Sequence, residues 1–350
     1  MDAKADGSTQ GGFLLNNNDG LTFYNCIIAN NEGPSSGGSW ISNSDIFFKS
    51  CSFHDNHANE AGSAYLSYSD VVFEHCIFYD NSSNAHGGNV TFNGQGSAHS
   101  SIDSSLIVNC LFYNNTAGNL SGGALYFYNV PNGAQVVNCT FANNSVSSGG
   151  DGVSIGSNGV TLNIFNSIFW NTPSTTQYEI SEINNNSTLI EINHAIVHNG
   201  VNTIQGNNVI NQDPLFNDVG NDDYSLMDNS PAIDMGDTLG LNMFMNTQDL
   251  AGNPRMAGDI DLGCYENQIS LSSQINEIEF SVYPNPNEGR FMVTTNLNMA
   301  LLRVIDLSGK TVITKSKFNQ ESIEIDVKKG VYIIEISDNK TSSFEKLVIK

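Results

Sequence analysis

The sequence predicts an all-β protein: a right-handed parallel β-helix solenoid followed by a small C-terminal β-sandwich. Three observations predict it. A segment of the form Asn-Cys-x-Phe-x-Asn-Asn recurs along the first half of the 350 residues. Short runs of Val, Ile, Phe and Tyr lie between Gly and Asn turns, with strand rather than helix periodicity. Only 14 % of residues are charged, and Asn, Ser, Thr and Gly supply the polarity, which suits stacked turns better than charge-coated helices.

The repeat begins at Asn25-Cys26, Ser50-Cys51, His75-Cys76, Asn109-Cys110 and Asn138-Cys139, then degenerates to Asn166-Ser167 and His194-Ala195. Successive copies stand 25, 25, 34, 29, 28 and 28 residues apart, one solenoid coil each. About half a coil later come Gly11-Gly12, Gly37-Gly38, Ala61-Gly62, Gly87-Gly88, Gly122-Gly123 and Gly149-Gly150. The distance from Cys to the second Gly stays between 11 and 13 residues while the return varies more, so insertions belong to one arc.

Alternation along a strand predicts which side chains point inward. The Cys position and the residue two later (Ile28, Phe53, Phe78, Phe112, Phe141, Phe169, Val197) should face the core, and the residues between them solvent. Asn31, Asn56, Asn81, Asn115 and Asn144, five residues after each Cys, read as an asparagine ladder that satisfies the turn backbone. The Cys column reads as small thiols filling narrow core space; vertical disulfides are the alternative.

Charge separates the chain into two parts. Residues 1 to 276 carry Lys4, Lys49 and Arg255 against 26 acids, the whole net charge of −23; beyond them ten basic residues cancel ten acids. So acidic a surface repels phosphate and anionic lipid, which argues against nucleic acid and membrane surfaces as partners and favours cations or neutral glycans. No apolar run is long enough for a transmembrane segment, and Met1 to Gly12 lack the pattern of a signal peptide. Since other features argue for secretion, the chain is expected to be a fragment lacking its true N-terminus.

From Asp213 the repeat gives way to Asp213-Pro214-Leu215-Phe216, Tyr224-Ser225-Leu226, Ser230-Pro231-Ala232-Ile233-Asp234 and Asp261-Leu262-Gly263-Cys264-Tyr265-Glu266. This order resembles the closing segment of surface β-helix proteins of the choice-of-anchor Q type, with Cys264 where Ala is more usual. The resemblance implies a fold and a surface setting, without a single chemistry.

The tail reads Ser281-Val282-Tyr283-Pro284-Asn285-Pro286, then Val304-Ile305-Asp306-Leu307-Ser308-Gly309-Lys310, Gly330-Val331-Tyr332-Ile333-Ile334 and Glu345-Lys346-Leu347-Val348-Ile349. It resembles the type A sorting domain of the type IX secretion system, and its alternating strands independently suggest a small sandwich. The resemblance implies the secretion machinery and its sortase as partners and a secreted or outer-membrane surface location. It also implies removal of the tail, followed by release of the cargo or its attachment to surface lipopolysaccharide. The expected domains are 1–212 (β-helix repeats), 213–266 (closing segment), 267–278 (a polar linker open to cleavage) and 279–350 (sorting domain).

Chemistry is harder to find. Between Ala5 and Pro254 the sole Lys or Arg is Lys49, in column with Glu74 and read as half of a cross-strand ion pair, so lyase action on uronates lacks its cationic groups. Asp55 and Asp80, each four residues after a Cys, would stack in adjacent coils. Carboxyls about 5 Å apart suit a retaining glycosidase on neutral glycan, and the pair could hold Ca²⁺, or simply occupy a turn column otherwise filled by Asn30, Asn114 and Asn143. His54, His57 and His75 could converge, and His194 and His198 share a strand face, without a diagnostic metal spacing. Ile41, Tyr65, Thr91 and Tyr126, with Tyr128 nearby, fall three residues after the second Gly on the expected outer face, where Tyr rings could stack on sugars. Adhesion or glycan binding, hydrolysis through Asp55 and Asp80, and a spacer role remain the three functional readings.

Overall fold

The structure, a computed structural model, describes residues 11–85, 89–94, 105–130, 133–156, 160–171, 178–182, 189–198, 205–237, 248–255, 259–268, 280–295, 300–306, 310–318, 322–337 and 342–350. Gly87, Gly88, Gly309 and most of the expected linker lie outside these residues. The chain divides into two compact units, Met1–Ser270 and Leu271–Lys350.

The first unit is a parallel β-solenoid whose coils carry four short strands, stacked as four walls. Wall one contains Phe13–Asn16, Ser39–Ser42, Ala64–Ser67, Val90–Asn93 and Leu125–Tyr128. Wall two contains Asp19–Tyr24, Asp45–Lys49, Asp70–Glu74, Ser105–Val108 and Ala134–Val137, wall three Ile27–Ala29, Ser52–His54, Ile77–Tyr79, Leu111–Tyr113 and Thr140–Ala142. Wall four begins with Glu32–Gly33, His57–Ala58, Ser82–Ser83 and Thr116–Gly122. Lower down, Ser145–Ile155 runs on from wall four into wall one, and Thr161–Trp170 from wall two into wall three.

One device, used three times, turns the chain at the corners. A residue in the left-handed region is followed in most coils by an inward polar side chain or thiol, with Val130 and Ala195 in its place after Asn129 and His194. Between walls two and three the left-handed residues are Asn25, Ser50, His75, Asn109, Asn138, Asn166 and His194, with φ between 49° and 54°. Between walls three and four they are Asn30, Asp55, Asp80, Asn114 and Asn143, with φ between 52° and 57°. Asn and Asp tolerate this conformation better than other residues with a Cβ, which explains the recurrent Asn of the motif.

The inward residue then satisfies backbone that the corner has freed. At the first corner Ser44 Oγ accepts the N–H of Asn18 at 3.0 Å and donates to the Ser42 carbonyl at 2.7 Å. At the second, Cys110 Sγ accepts the Cys76 N–H at 3.4 Å and donates to the Val108 carbonyl at 3.3 Å. Ser167 does the same in the next coil but one, taking the Cys139 N–H at 3.1 Å, so the apparent decay of the motif from Cys to Ser preserves its chemistry. All six cysteines are free thiols.

At the third corner Asn56 Oδ1 accepts both the N–H and the Nδ2 of Asn31, at 3.1 and 2.8 Å, and the pattern passes through Asn81, Asn115 and Asn144. Beside it the Phe column forms one stack: Phe53, Phe78, Phe112, Phe141 and Phe169 have ring centroids 4.8, 4.6, 4.8 and 4.4 Å apart. At the fourth corner the backbones of successive coils touch. A Cβ on Gly37 would lie 2.2 Å from the Gly62 carbonyl oxygen, so only glycine fits.

The residues between the inward positions do not all face solvent, contrary to expectation. Ile27 is exposed in the first coil, whereas Leu111, Thr140, Ile168 and Ile196 at the same position of later coils are buried. The cover is the segment from Asp213, which packs sideways against wall three instead of adding coils. Its hairpin, Phe216–Asp218 with Asp223–Leu226, places Tyr224 5.1 Å from Tyr113 between ring centroids. Ile260 covers Leu106, Val108 and Val137 of wall two in the same way.

Much of this side segment lacks strand ladders, and buried carboxylates organise its backbone instead. Asp249 accepts the N–H groups of Asn253 and Glu266, at 2.7 and 2.9 Å, and Asp261 those of Asp234 and Asn267, at 2.8 and 2.6 Å. Arg255, buried to 2 % exposure, donates to Glu266, to Asn109 of wall two and to the Gly263 carbonyl. Gly263 has φ of 90° and sits where a Cβ would strike Thr140 Oγ1 at 2.6 Å.

The second unit is a sandwich of two antiparallel sheets. One pairs Phe280–Tyr283, Arg290–Thr295 and Ser322–Glu324; the other pairs Thr311–Phe318, Ala300–Asp306, Gly330–Ser337 and Ser342–Ile349. Val282, Phe291 and Ile323 from the first sheet share a core with Leu302, Val304, Ile334 and Leu347 from the second. Among the described residues no helix is long and apolar enough to cross a membrane.

Candidate functional site

Wall one carries the aromatic candidates, and its register corrects one of them. Strand pairing keeps a constant offset, so Trp40 stands beside Tyr65 and Ile41 beside Leu66; Ile41 is core. Aligning coils on their Gly pairs slips this coil by one residue, because Gly38 pairs with the position of Ser63, not Gly62. The outer column is therefore Trp40, Tyr65, Thr91, Tyr126 and Ser154.

Trp40 and Tyr65 stack with centroids 4.3 Å apart and planes 7° apart. Thr91 interrupts the column before Tyr126. A concavity of about 310 Å³ lies at this interruption, lined by Tyr65, Thr91, Tyr126, Tyr128, Asn93 and Glu60. Tyr65 and Tyr126 are nearly buried, whereas Tyr128 is 45 % exposed, at 6.5 Å from Tyr126 between centroids. Asn93 Nδ2 donates to the Tyr65 hydroxyl. Burial raises both phenol pKa values above the ordinary range, so both hydroxyls remain protonated donors.

Asp55 and Asp80 both occupy the left-handed position of the corner between walls three and four. Asp55 Oδ2 meets His54 Nδ1 at 2.7 Å, and burial, then the charge of Asp55, holds Asp80 above the usual carboxylate range. The two acids thus feel one another in adjacent coils. Among the described residues, no three His, Cys, Asp or Glu side chains gather as a metal site.

The histidines have separate partners. His54 stacks on Tyr79 at 4.6 Å, His57 meets Ser82 Oγ at 2.7 Å, and His75 Nε2 meets the Gln248 carbonyl at 3.1 Å. His194 contacts Asn208, whereas His198 lies against Trp170 and Glu179. Lys49 pairs with Glu74 at 2.8 Å across neighbouring strands.

In the second unit the tail motifs, distant in sequence, meet in space. Asn285, between Pro284 and Pro286, accepts the Val348 N–H at 2.9 Å and donates Nδ2 to the Lys346 carbonyl. The Asn287 N–H reaches the Val348 carbonyl at 3.0 Å, so the first block clasps the last strand. Lys310 N–H closes on Asp306 Oδ1 at 3.1 Å, Gly330 opens the central strand, and Tyr332 donates its hydroxyl to the Lys328 carbonyl at 2.7 Å. Tyr283 pairs with Met292 through its backbone, and its ring is 78 % exposed.

Comparison with known families shows that residues 281–350 match the secretion system C-terminal sorting domain. Comparison with curated proteins finds no match to the chain. The tail marks a secreted cargo, exported to the cell surface by the type IX machinery with which it interacts, and the cargo it carries is a β-helix.

Proposed function

We infer that the secreted β-helix binds glycans through the aromatic slot on wall one. The ring-wide interruption at Thr91 carries this reading. Coils stack about 4.8 Å apart, which sets the rows of Tyr65 and Tyr126 about 10 Å apart and leaves room for one ring at stacking distance from each. Asn93, Glu60 and the two phenol hydroxyls supply hydrogen-bonding groups at its edge. The acidic unit around the slot favours a neutral sugar over a uronate. Beyond export, the reading assigns the tail to a sortase that removes it, leaving the helix released or joined to surface lipopolysaccharide.

The test is a glycan array probed with the full chain, with and without Ca²⁺, followed by product analysis on every glycan bound. Binding without products, weakened about tenfold by Tyr126→Ala, supports the lectin reading. New products that vanish on joint replacement of Asp55 and Asp80 turn it into a hydrolase. Silence on the array leaves a spacer and overturns it.

A further inference from the structure

A second cavity, of about 390 Å³, opens between wall three of the later coils and the side segment that begins at Asp213. Its volume is within the range of small-molecule sites. Trp170, Phe216, Tyr224 and Met227 give it apolar and aromatic walls, and Asn143 and Asp213 supply the polar groups.

The walls are held in place by the fold. Trp170 ends the strand Thr161–Trp170 and leans on His198 at 4.5 Å between centroids, with part of its indole left on the cavity. Tyr224 is buried edge-on against Phe216, and its hydroxyl accepts Asn143 Nδ2 at 3.2 Å. Asp213 Oδ1 takes the Leu215 N–H at 2.9 Å, and Leu215 itself is held at φ of 53°, unusual for a leucine.

The electrostatics favour a positive ligand. Asp213 lines the cavity, and the charges of Asp222 and Asp80 both act on Tyr224, raising its pKa after burial has done so. Lys49 and Arg255 are the Lys and Arg among the described residues of the first unit, and both are already paired with glutamates. Aromatic faces attract a cation, and a nearby carboxylate fixes its position. An anionic sugar would find neither Lys nor Arg among the residues that line this cavity.

We propose that this cavity binds a protonated amine borne on a ring with an apolar face, the chemistry of an amino sugar. The site is separate from the wall-one slot and independent of it.

Calorimetric titration of the full chain with glucosamine, its β-1,4-linked oligomer and glucose tests the proposal. Glucosamine or its oligomer is expected to bind about tenfold more tightly than glucose, and the tighter of the two tells whether the natural source is a free sugar or a polymer. Asp213→Asn, on an exposed residue whose change spares the core, should erase that preference, Trp170→Phe should weaken glucosamine binding, and Tyr24→Ala, on an exposed ring that lines neither cavity, should change nothing. Equal or absent binding of all three sugars overturns the proposal. So does a preference that survives Asp213→Asn, or one that disappears with Tyr24→Ala.

Discussion

Glu179 accepts the backbone N–H of Asn171 at 3.0 Å and thereby ends a ladder otherwise built of asparagine. Asn171 in turn takes the N–H and Nδ2 of Asn144, at 2.7 and 2.9 Å. The two oxygens of Glu179 accept from the backbone N–H and the Nδ2 of Asn171, the part that a single asparagine Oδ1 plays higher in the ladder. Burial is the main cause of its raised pKa, about 8 against an ordinary 4.5.

That shift makes stability depend on pH. Because the folded value lies above the unfolded one, the contribution is fully present below about pH 4.5 and is lost as pH rises to about 8. The unfolded chain releases the proton first, so each pH unit in this window costs about 1 kcal/mol. Glu179→Gln cannot ionise. Denaturant melts at pH 5 and pH 8 should show this variant gaining on the parent by about 3 kcal/mol across the interval. Parallel pH profiles would assign the dependence to other groups.

The ladder itself should be costly to break. Asn81 receives the Asn56 N–H at 3.1 Å and donates to the Phe53 carbonyl at 2.9 Å. Asn81→Ala leaves both buried groups without a partner, a loss of about 3 kcal/mol by denaturant unfolding. Cys110→Ser at the neighbouring corner should cost less than about 1.5 kcal/mol, since Ser167 already plays this part in the same column. A larger loss on Cys110→Ser than on Asn81→Ala would reverse this ranking.

These two columns also show what was legible in the sequence. Coils of 25 residues place Cys26, Cys51 and Cys76 in plain register, and each corner repeats because its left-handed residue and inward partner are local requirements. Asn171 escaped because it stands four residues after Ser167, not five, and Glu179 because it follows Asn171 by only 8 residues where the other ladder members stand a full coil apart. Trp40 escaped for the opposite reason: the Gly pair looked like a fixed mark, yet backbone pairing through Ser39 and Ala64 sets the register. The sideways packing of the closing segment left no clean signal, because the covered column holds exposed Ile27 and buried Thr140 beside Leu111, Ile168 and Ile196.

Filling the interruption on wall one gives a sharp check of the slot. Thr91→Tyr would complete the column from Trp40 to Tyr126 with one more ring, at a stabilisation of about 1 kcal/mol. The same ring occupies the space assigned to the sugar. A thermal melt should therefore rise or hold while glycan binding falls at least about tenfold. Retained binding in a folded Thr91→Tyr protein would move the glycan elsewhere.

Asn285 offers the corresponding check on the sorting unit. Its side chain imitates a neighbouring strand, taking the Val348 N–H and giving to the Lys346 carbonyl, so it ties the Tyr283–Pro286 block to the final strand. Asn285→Ala removes two hydrogen bonds at a part-buried site, a cost of about 1–2 kcal/mol. Asn285→Asp keeps the acceptor for Val348 but loses the donor to Lys346, and should fall between. Tyr283→Ala, by contrast, removes an exposed ring that supports none of the core and should leave stability within about 0.5 kcal/mol. Export measured in a type IX host then separates the two kinds of residue. Loss of secretion in step with stability across the Asn285 variants identifies a folding clasp. Loss with Tyr283→Ala at unchanged stability identifies a residue read directly by the machinery.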